Sequence, residues 1–239
     1  MTRPQGAGPA LVIDDLRFGY ARDAAWALAI PHLSLARGEQ MLLRGGSGQG
    51  KSTLLLLVAG LFDPGQGRIL VAGTDLHSLH GAVRDRFRGR VIGMIFQTFN
   101  LLHGFSAVEN VMAAMMFSGI PRSQHRRRAV ALLEHLGIDR PEADPMRMSV
   151  GQQQRVAVAR AVACDPVLVL ADEPTASLDP ENAENAMSLI QSICREKAAA
   201  LLCVSHDPGM MNRFARVESL DAIRRADGRE SAAGTVAET

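Results

Sequence analysis

Residues 40–53 read Q-M-L-L-R-G-G-S-G-Q-G-K-S-T: an apolar pentad of strand length, a glycine-rich loop, and then the start of a leucine run of helical length. Residues 45–52 satisfy every fixed position of G-x-x-x-x-G-K-[ST], and they do so between a strand and a helix, the context in which that pattern has a mechanism. Gly45, Gly46, Ser47, Gly48, Gln49 and Gly50 let the backbone wrap, so that N–H groups from Gly46 to Thr53 converge on phosphate oxygens at the positive end of the helix. Lys51 is expected to neutralise the β and γ phosphates, and the Ser52 hydroxyl to ligate Mg²⁺. A dinucleotide fingerprint does not fit, because Gly46 and Gly48 would need a glycine at 51, where lysine stands.

Outward from this loop the chain alternates. Residues 10–18 are strand-like before it. After it come the helix KSTLLLLVAGLF, the turn DPGQG, the strand RILVAG, a basic amphipathic stretch to Arg90 and the buried strand VIGMIF ending at Gln97. Between Thr98 and Pro145 the period changes: SAVENVMAAMMFSG and SQHRRRAVALLEHLG have helical spacing and capping residues, with no strand between them. This is a helical insertion, whose Met112, Met115 and Met116 are expected to pack its core. Arg126, Arg127 and Arg128 read as a solvated helix face, since no aromatic residue interleaves with them. Alternation resumes with the helix VAVARAVAC, the strand VLVLAD, the helix PENAENAMSLIQSICREK and the strand ALLCVS, which predicts a mostly parallel sheet with helices on its faces.

A phosphate cradle with Mg²⁺ needs a second group on the metal side and a means of attacking the terminal phosphate. Asp172 ends an apolar strand at the carboxyl edge of the predicted sheet and can hold the metal through water; Glu173, next to it, can take a proton from an attacking water. Gln97 and His206 also follow strands, and each is a weak signal alone: a strand-end histidine is most often structural, and a glutamine is a neutral amide that could reach metal or water. Their convergence on one edge, where open α/β sheets bind ligands, gives them weight.

Bulk properties narrow the class. With 239 residues, 47% of them hydrophobic, the chain can bury a substantial core. A net charge of +1 gives no global field for nucleic acid or an anionic membrane. Cys164, Cys194 and Cys203 lie far apart without metal-ligand spacing and read as reduced thiols, in keeping with a reducing cytosol. The N-terminus is too short in apolar residues for a signal peptide, and the longest apolar stretch, residues 54–62, falls short of the roughly 20 residues that cross a bilayer. Residues 1–9 and 227–239, small and polar, read as flexible ends.

A second patch, M-S-V-G-Q-Q-Q-R at 148–155, opens another helix with Ser149, Gly151 and Gln152. Free N–H groups, a hydroxyl and close backbone approach make it an anion site, yet the first cradle already accounts for one nucleotide's phosphates. The patch therefore suits a nucleotide held by a second copy of the chain.

Taken together, GGSGQGKS, Gln97, MSVGQ, VLVLADE, SLD at 177–179 and His206 resemble the ATP-binding cassette ATPases of transporters, from about residue 10 to 225. The resemblance implies an α/β P-loop NTPase fold: a RecA-like core at 10–97 and 155–226, an N-terminal antiparallel β part, and a helical subdomain at 98–154. It further implies Tyr20 stacked on adenine, Gln97 as a lever between subdomains, Asp179 signalling across a dimer, and His206 as a switch. Two ATP molecules with Mg²⁺ would sit between head-to-tail copies in a homodimer that serves a transmembrane permease at the inner face of the membrane. Val150 departs from the usual signature, which has glycine there, and Met148 replaces leucine. FQTFNLLHGFSAVENV and the stretch from Val150 through SLD resemble the branch serving lipoprotein release, macrolide efflux and cell division. The competing reading is a soluble cassette ATPase acting on nucleic acid or ribosomes, but the coiled-coil insertion, second cassette or zinc-binding cysteines it calls for are not seen. A regulatory module that no longer hydrolyses would have lost Glu173 or His206, and both are present.

Overall fold

The computed structural model describes residues 8–21 and 26–225; the expected flexible ends fall almost wholly outside that range. In chain order the elements are β1 (Leu11–Phe18), β2 (Leu28–Leu35), β3 (Gln40–Arg44), α1 (Lys51–Val58), β4 (Gln66–Val71), β5 (Thr74–Asp75), α2 (Gly81–Val91) and β6 (Ile92–Ile95). They continue with α3 (Ala107–Met115), α4 (Arg122–His135), α5 (Val150–Val162), β7 (Leu168–Asp172), α6 (Pro180–Glu196), β8 (Ala200–Ser205), β9 (Arg216–Ser219) and α7 (Leu220–Arg225).

The strands form two sheets. One is antiparallel, in the order β2-β1-β4-β5; the other has five strands in the order β6-β7-β8-β3-β9, and every pairing in it is parallel. Because successive side chains on a strand point to opposite faces, the parallel sheet feeds two cores. Met41, Leu43, Leu168, Leu170, Leu202 and Val204 face α1 and the antiparallel sheet. Leu42, Val169, Ala171, Leu201 and Cys203 face α5, α6 and the helical insertion. With both faces covered, strands β7 and β8 carry no polar alternation, which is why VLVLAD and ALLCVS read as continuous apolar runs.

The helical insertion packs α3 and α4 on α5. Its entry is fixed by a capping box: Ser106 accepts from the Glu109 N–H while the Glu109 carboxylate accepts from the Ser106 N–H. Two expectations are corrected here. Met115 is fully buried and Met112 packs against the core, but Met116, one step round the helix, is 60% exposed. Arg128 does not lie on a solvated face: it reaches across to donate to the Ala163 carbonyl and pairs with Asp165, which Lys197 of the α6 end also meets at 3.1 Å. Arg126, by contrast, pairs with Glu142 at the surface. All three cysteines are free, and burial pushes the Cys194 thiol up to about 12, so it stays protonated and unreactive.

Candidate functional site

The carboxyl ends of β3, β7 and β8 lie side by side, so the loops that follow them share one edge of the sheet. Between them opens a cleft of about 380 Å³ lined by Tyr20, Ala27, Ser47, Gly48, Gly50, Lys51, Ser52, Thr53, Gln97, Glu173 and His206. Residues separated by up to 186 positions in sequence thus meet because parallel strands deliver their ends to the same side.

The cradle has the backbone its glycines permit. Gly48 and Gly50 sit at φ 74° and 91°, in the left-handed region, and Gly50 is the N-cap residue of α1 with no side-chain cap. The first N–H groups of the helix are therefore left to a ligand. Lys51, only 6% exposed, folds back to donate from Nζ to the carbonyls of Gly45 at 2.8 Å and Gly46 at 3.0 Å. Its Nζ also lies 3.5 Å from Glu173 Oε1.

Glu173 is the most constrained side chain of the cleft. Its backbone is left-handed, φ 45°, a conformation that costs a non-glycine residue about 1 kcal/mol or more, and its N–H is tied to the Val204 carbonyl at 3.0 Å. Its Oε1 meets His206 Nδ1 at 2.8 Å, and its Oε2 accepts from the Ser205 hydroxyl at 3.1 Å and the His206 N–H at 3.3 Å. A left-handed turn immediately after β7 directs this carboxylate back over the end of β8. Such strain persists where the surroundings hold it and marks functional positions.

Asp172 accepts a hydrogen bond from the Ser52 hydroxyl at 3.0 Å. Burial raises its pKa above the ordinary carboxylate value; the neighbouring Glu173 charge acts in the same direction, and the Ser52 hydroxyl and Lys51 oppose it. Among the described residues no group of three or more histidine, cysteine or acidic side chains could cage a metal by itself. A single carboxylate beside a hydroxyl, at the mouth of a phosphate cradle, is nevertheless the donor set Mg²⁺ uses when phosphates supply the remaining oxygens. Asp172 and Ser52 fit that ion, and Gln97 lines the same cleft as Ser52.

Tyr20 is 70% exposed and stands edge-on to Phe18 at 5.1 Å and Phe62 at 6.5 Å, with its hydroxyl 2.7 Å from Thr53 Oγ1. Most of its surface is open to solvent beside the cradle, so an aromatic ring is available there for a stacking partner. The second patch lies elsewhere: none of Ser149, Gly151, Gln152 and Asp179 lines the cleft. Ser149 caps α5, accepting from the Gln152 N–H at 3.3 Å while the Gln152 side chain accepts from the Ser149 N–H at 3.0 Å. Open space surrounds Gly151, Val150 is exposed, and Asp179 caps α6 by accepting from Asn182.

Some supporting residues escape sequence reading. Gln49 of the cradle donates to Asp221 of α7 at 2.8 Å, and Arg224 of α7 donates to the carbonyls of Gln49 at 2.8 Å and Ala27 at 2.7 Å. These side chains are brought to the loop only by the pairing of β9 with β3, and no local pattern announces them.

Comparison with known proteins agrees with the geometry. Residues 28–176 match the family described as ABC transporter. The chain is 39% identical over 196 residues, 82% of its length and 83% of the relative's, to the lipoprotein-releasing system ATP-binding protein LolD of Chromohalobacter salexigens. It is 40% identical over 176 residues, 73% of the chain and 76% of the relative, to the ABC transporter ATP-binding protein YtrE of Bacillus subtilis. Among solved structures it is similar to the dimeric ABC transporter cassette MJ0796, with a TM-score of 0.75 and 29% identity, covering 87% of this chain and 93% of that one. A second structure of that cassette, equally similar, is a post-hydrolysis dimer bound to ADP and Pi. With cradle, strand-end carboxylates and histidine gathered in one cleft of this fold, the chain belongs to the ABC transporter family and is one of its ATP-hydrolysing cassettes.

Proposed function

We propose that two copies of this chain close head to tail on two ATP molecules, each held between the cradle of one copy and the Ser149–Gln152 corner of the other, and drive a separate membrane permease. The supporting observation is a separation within one chain. Lys51, Ser52, Glu173 and His206 line one cleft and Asp172 is bonded to Ser52 beside it, whereas none of Ser149, Gly151, Gln152 and Asp179 lines it. Residues of the second set contribute to a nucleotide site only when another copy presents them.

Lys51 is shared between two carbonyls and Glu173. Triphosphate oxygens compete for that ammonium, and its departure releases Glu173 Oε1 to accept a proton from water. His206 holds the carboxylate in place through Nδ1. When bound, Mg²⁺ supplies charge neutralisation at the phosphates, and Ser52, Asp172 and Gln97 would hold it. Tyr20 offers its face to the adenine. Residues 98–154 form the part that swings relative to the core, with α5 running unbroken across that boundary. Among the described residues no helix is long and apolar enough to cross a membrane, so crossing falls to the permease, against which the chain sits at the cytoplasmic face. Similarity to lipoprotein-releasing relatives in several organisms supports lipoprotein release as the work performed.

Glu173→Gln tests the reading. The variant is expected to bind Mg·ATP, to lose at least about 10² in turnover, as removal of a general base should cost, and to accumulate as an ATP-bound dimer in size-exclusion chromatography with light scattering. Turnover at the parent rate, or a monomer at saturating Mg·ATP, overturns it.

A further inference from the structure

The segment after β6 contains two consecutive non-glycine residues in the left-handed region, Phe99 at φ 54° and Asn100 at φ 48°. They stand two and three positions beyond Gln97. Adjacent left-handed residues other than glycine are unfavourable and persist only where something outside the segment holds them. Here that agent is Arg160 of α5: one guanidinium nitrogen donates to the Phe99 carbonyl and the other to the Asn100 carbonyl. Among the described residues no carboxylate pairs with Arg160, so its charge is directed wholly at these two backbone oxygens. Burial of the guanidinium makes those bonds hard to surrender to water.

The helix carrying this fork is itself fastened at the same level. Gly93 of β6 lies so close to α5 that a Cβ there would come within 2.1 Å of the Ala161 carbonyl oxygen, one residue beyond Arg160. Strand, loop and helix are thus locked at one point. From it the loop runs to Gln97 in the nucleotide cleft, and α5 runs back to Ser149 and Gly151 at its N-terminus. A second hollow, of about 560 Å³, opens beside the loop and is lined by Thr98, Phe99, Asn100, Met146 and Gln153 among others.

We propose that Arg160 is the positioning residue for Gln97: by forking two carbonyls of the left-handed turn it aims the Gln97 amide into the cleft and makes the loop move as one body with α5. The inference rests on the reading of Gln97 as part of the nucleotide site. Lysine cannot replace the fork, because an ammonium has no planar pair of donors to meet two carbonyls at once.

The test combines hydrogen exchange with steady-state kinetics on the full chain. In Arg160→Gln, amide exchange at 98–101 should speed by about tenfold or more while β7 and β8 keep their protection. ATP turnover should fall by about tenfold with KM for ATP within about twofold, as expected when a reacting group is misplaced and binding is retained. Arg160→Lys should fall between the two. Added to Gln97→Ala, Arg160→Gln should cost little more, since both changes remove the same contribution. Parent-like exchange at 98–101 in Arg160→Gln overturns the proposal, as do fully multiplicative kinetic losses in the double variant. If Arg160→Gln does not fold, Arg160→Lys decides through the same exchange measurement, and parent-like protection again overturns it. A parent chain without ATP turnover would sink the nucleotide reading and leave the exchange result as the test of the loop.

Discussion

Asp172 shows how this cleft sets function against stability at a single residue. Its carboxyl, half-buried at the end of β7, has a pKa raised chiefly by burial. A carboxyl that holds its proton more tightly folded than unfolded weakens the fold as pH rises from its ordinary carboxylate value through the folded pKa, and the penalty stays constant above it. Asp172→Asn keeps an oxygen to accept from Ser52 and removes the charge. It should therefore abolish ATP turnover yet raise stability near neutral pH by about 0.5–2 kcal/mol, the common yield of one stabilising substitution. The gain should shrink as pH falls through the folded pKa of Asp172. Thermal melting of parent and variant across that range is the check, and a variant less stable at neutrality would mean that the Ser52 and Lys51 contacts outweigh burial. At this scale the sequence was most legible where a residue belongs to a contiguous pattern, as in Gly45–Ser52 or Asp172–Glu173. It was silent on Ser205, Asp221 and Arg224, whose contacts with Glu173 and Gln49 exist only through strand pairing.

Among elements, those with unmixed periodicity were readable: α1, α3, α4, α6, β7 and β8 all follow from spacing and caps. Three others were not. Strand β2 carries Pro31, which is tolerated because β2 pairs only with β1 at the edge of its sheet. Strand β9 and helix α7 are short, and β9 has no fully buried residue to give it a pattern; β9 is organised by its pairing with β3, and α7 by its packing on β2 and β9, rather than by their own composition. The contact of β6 with α5 is a further feature of tertiary origin. Gly93 occurs in an apolar run where valine would serve as well by propensity, but α5 lies too near for any side chain. Gly93→Ala is expected to destabilise the protein by about 3 kcal/mol, the upper part of the range for overpacking against backbone that cannot give way. Urea unfolding monitored by circular dichroism measures this, and a loss under about 0.5 kcal/mol, the size of a neutral surface change, would show that α5 slides freely along β6.

For the whole molecule, the proposed head-to-tail dimer has each chain supply half of each nucleotide site. While dimers are scarce, turnover is expected to rise as about the square of chain concentration, because mass action sets the population of complete sites. Strictly linear dependence over the same range, at saturating Mg·ATP, would mean that a single copy hydrolyses unaided. The two-core architecture serves this arrangement. Antiparallel sheet and α1 stabilise the cradle side, while α5, with its exposed N-terminal corner, belongs to the core shared with the helical insertion. The same core carries Val169, Ala171, Leu201 and Cys203 of β7 and β8, so the strands that end in the cleft and the helix that ends in the outward-facing corner pack on each other.

Sequence alone determined the phosphate cradle, the strand-end carboxylates and the alternation of strands and helices. Each of these is a local matter: which residues permit a tight backbone, which period buries one face, which side chains bear charge. Tertiary structure decided that Glu173 is held at once by Lys51, Ser205 and His206, that α7 braces the cradle, and that Arg160 holds the turn beyond Gln97. Those contacts join residues far apart along the chain. They arise because a parallel sheet brings the carboxyl ends of distant strands to one edge, an outcome of packing that no short stretch of sequence contains.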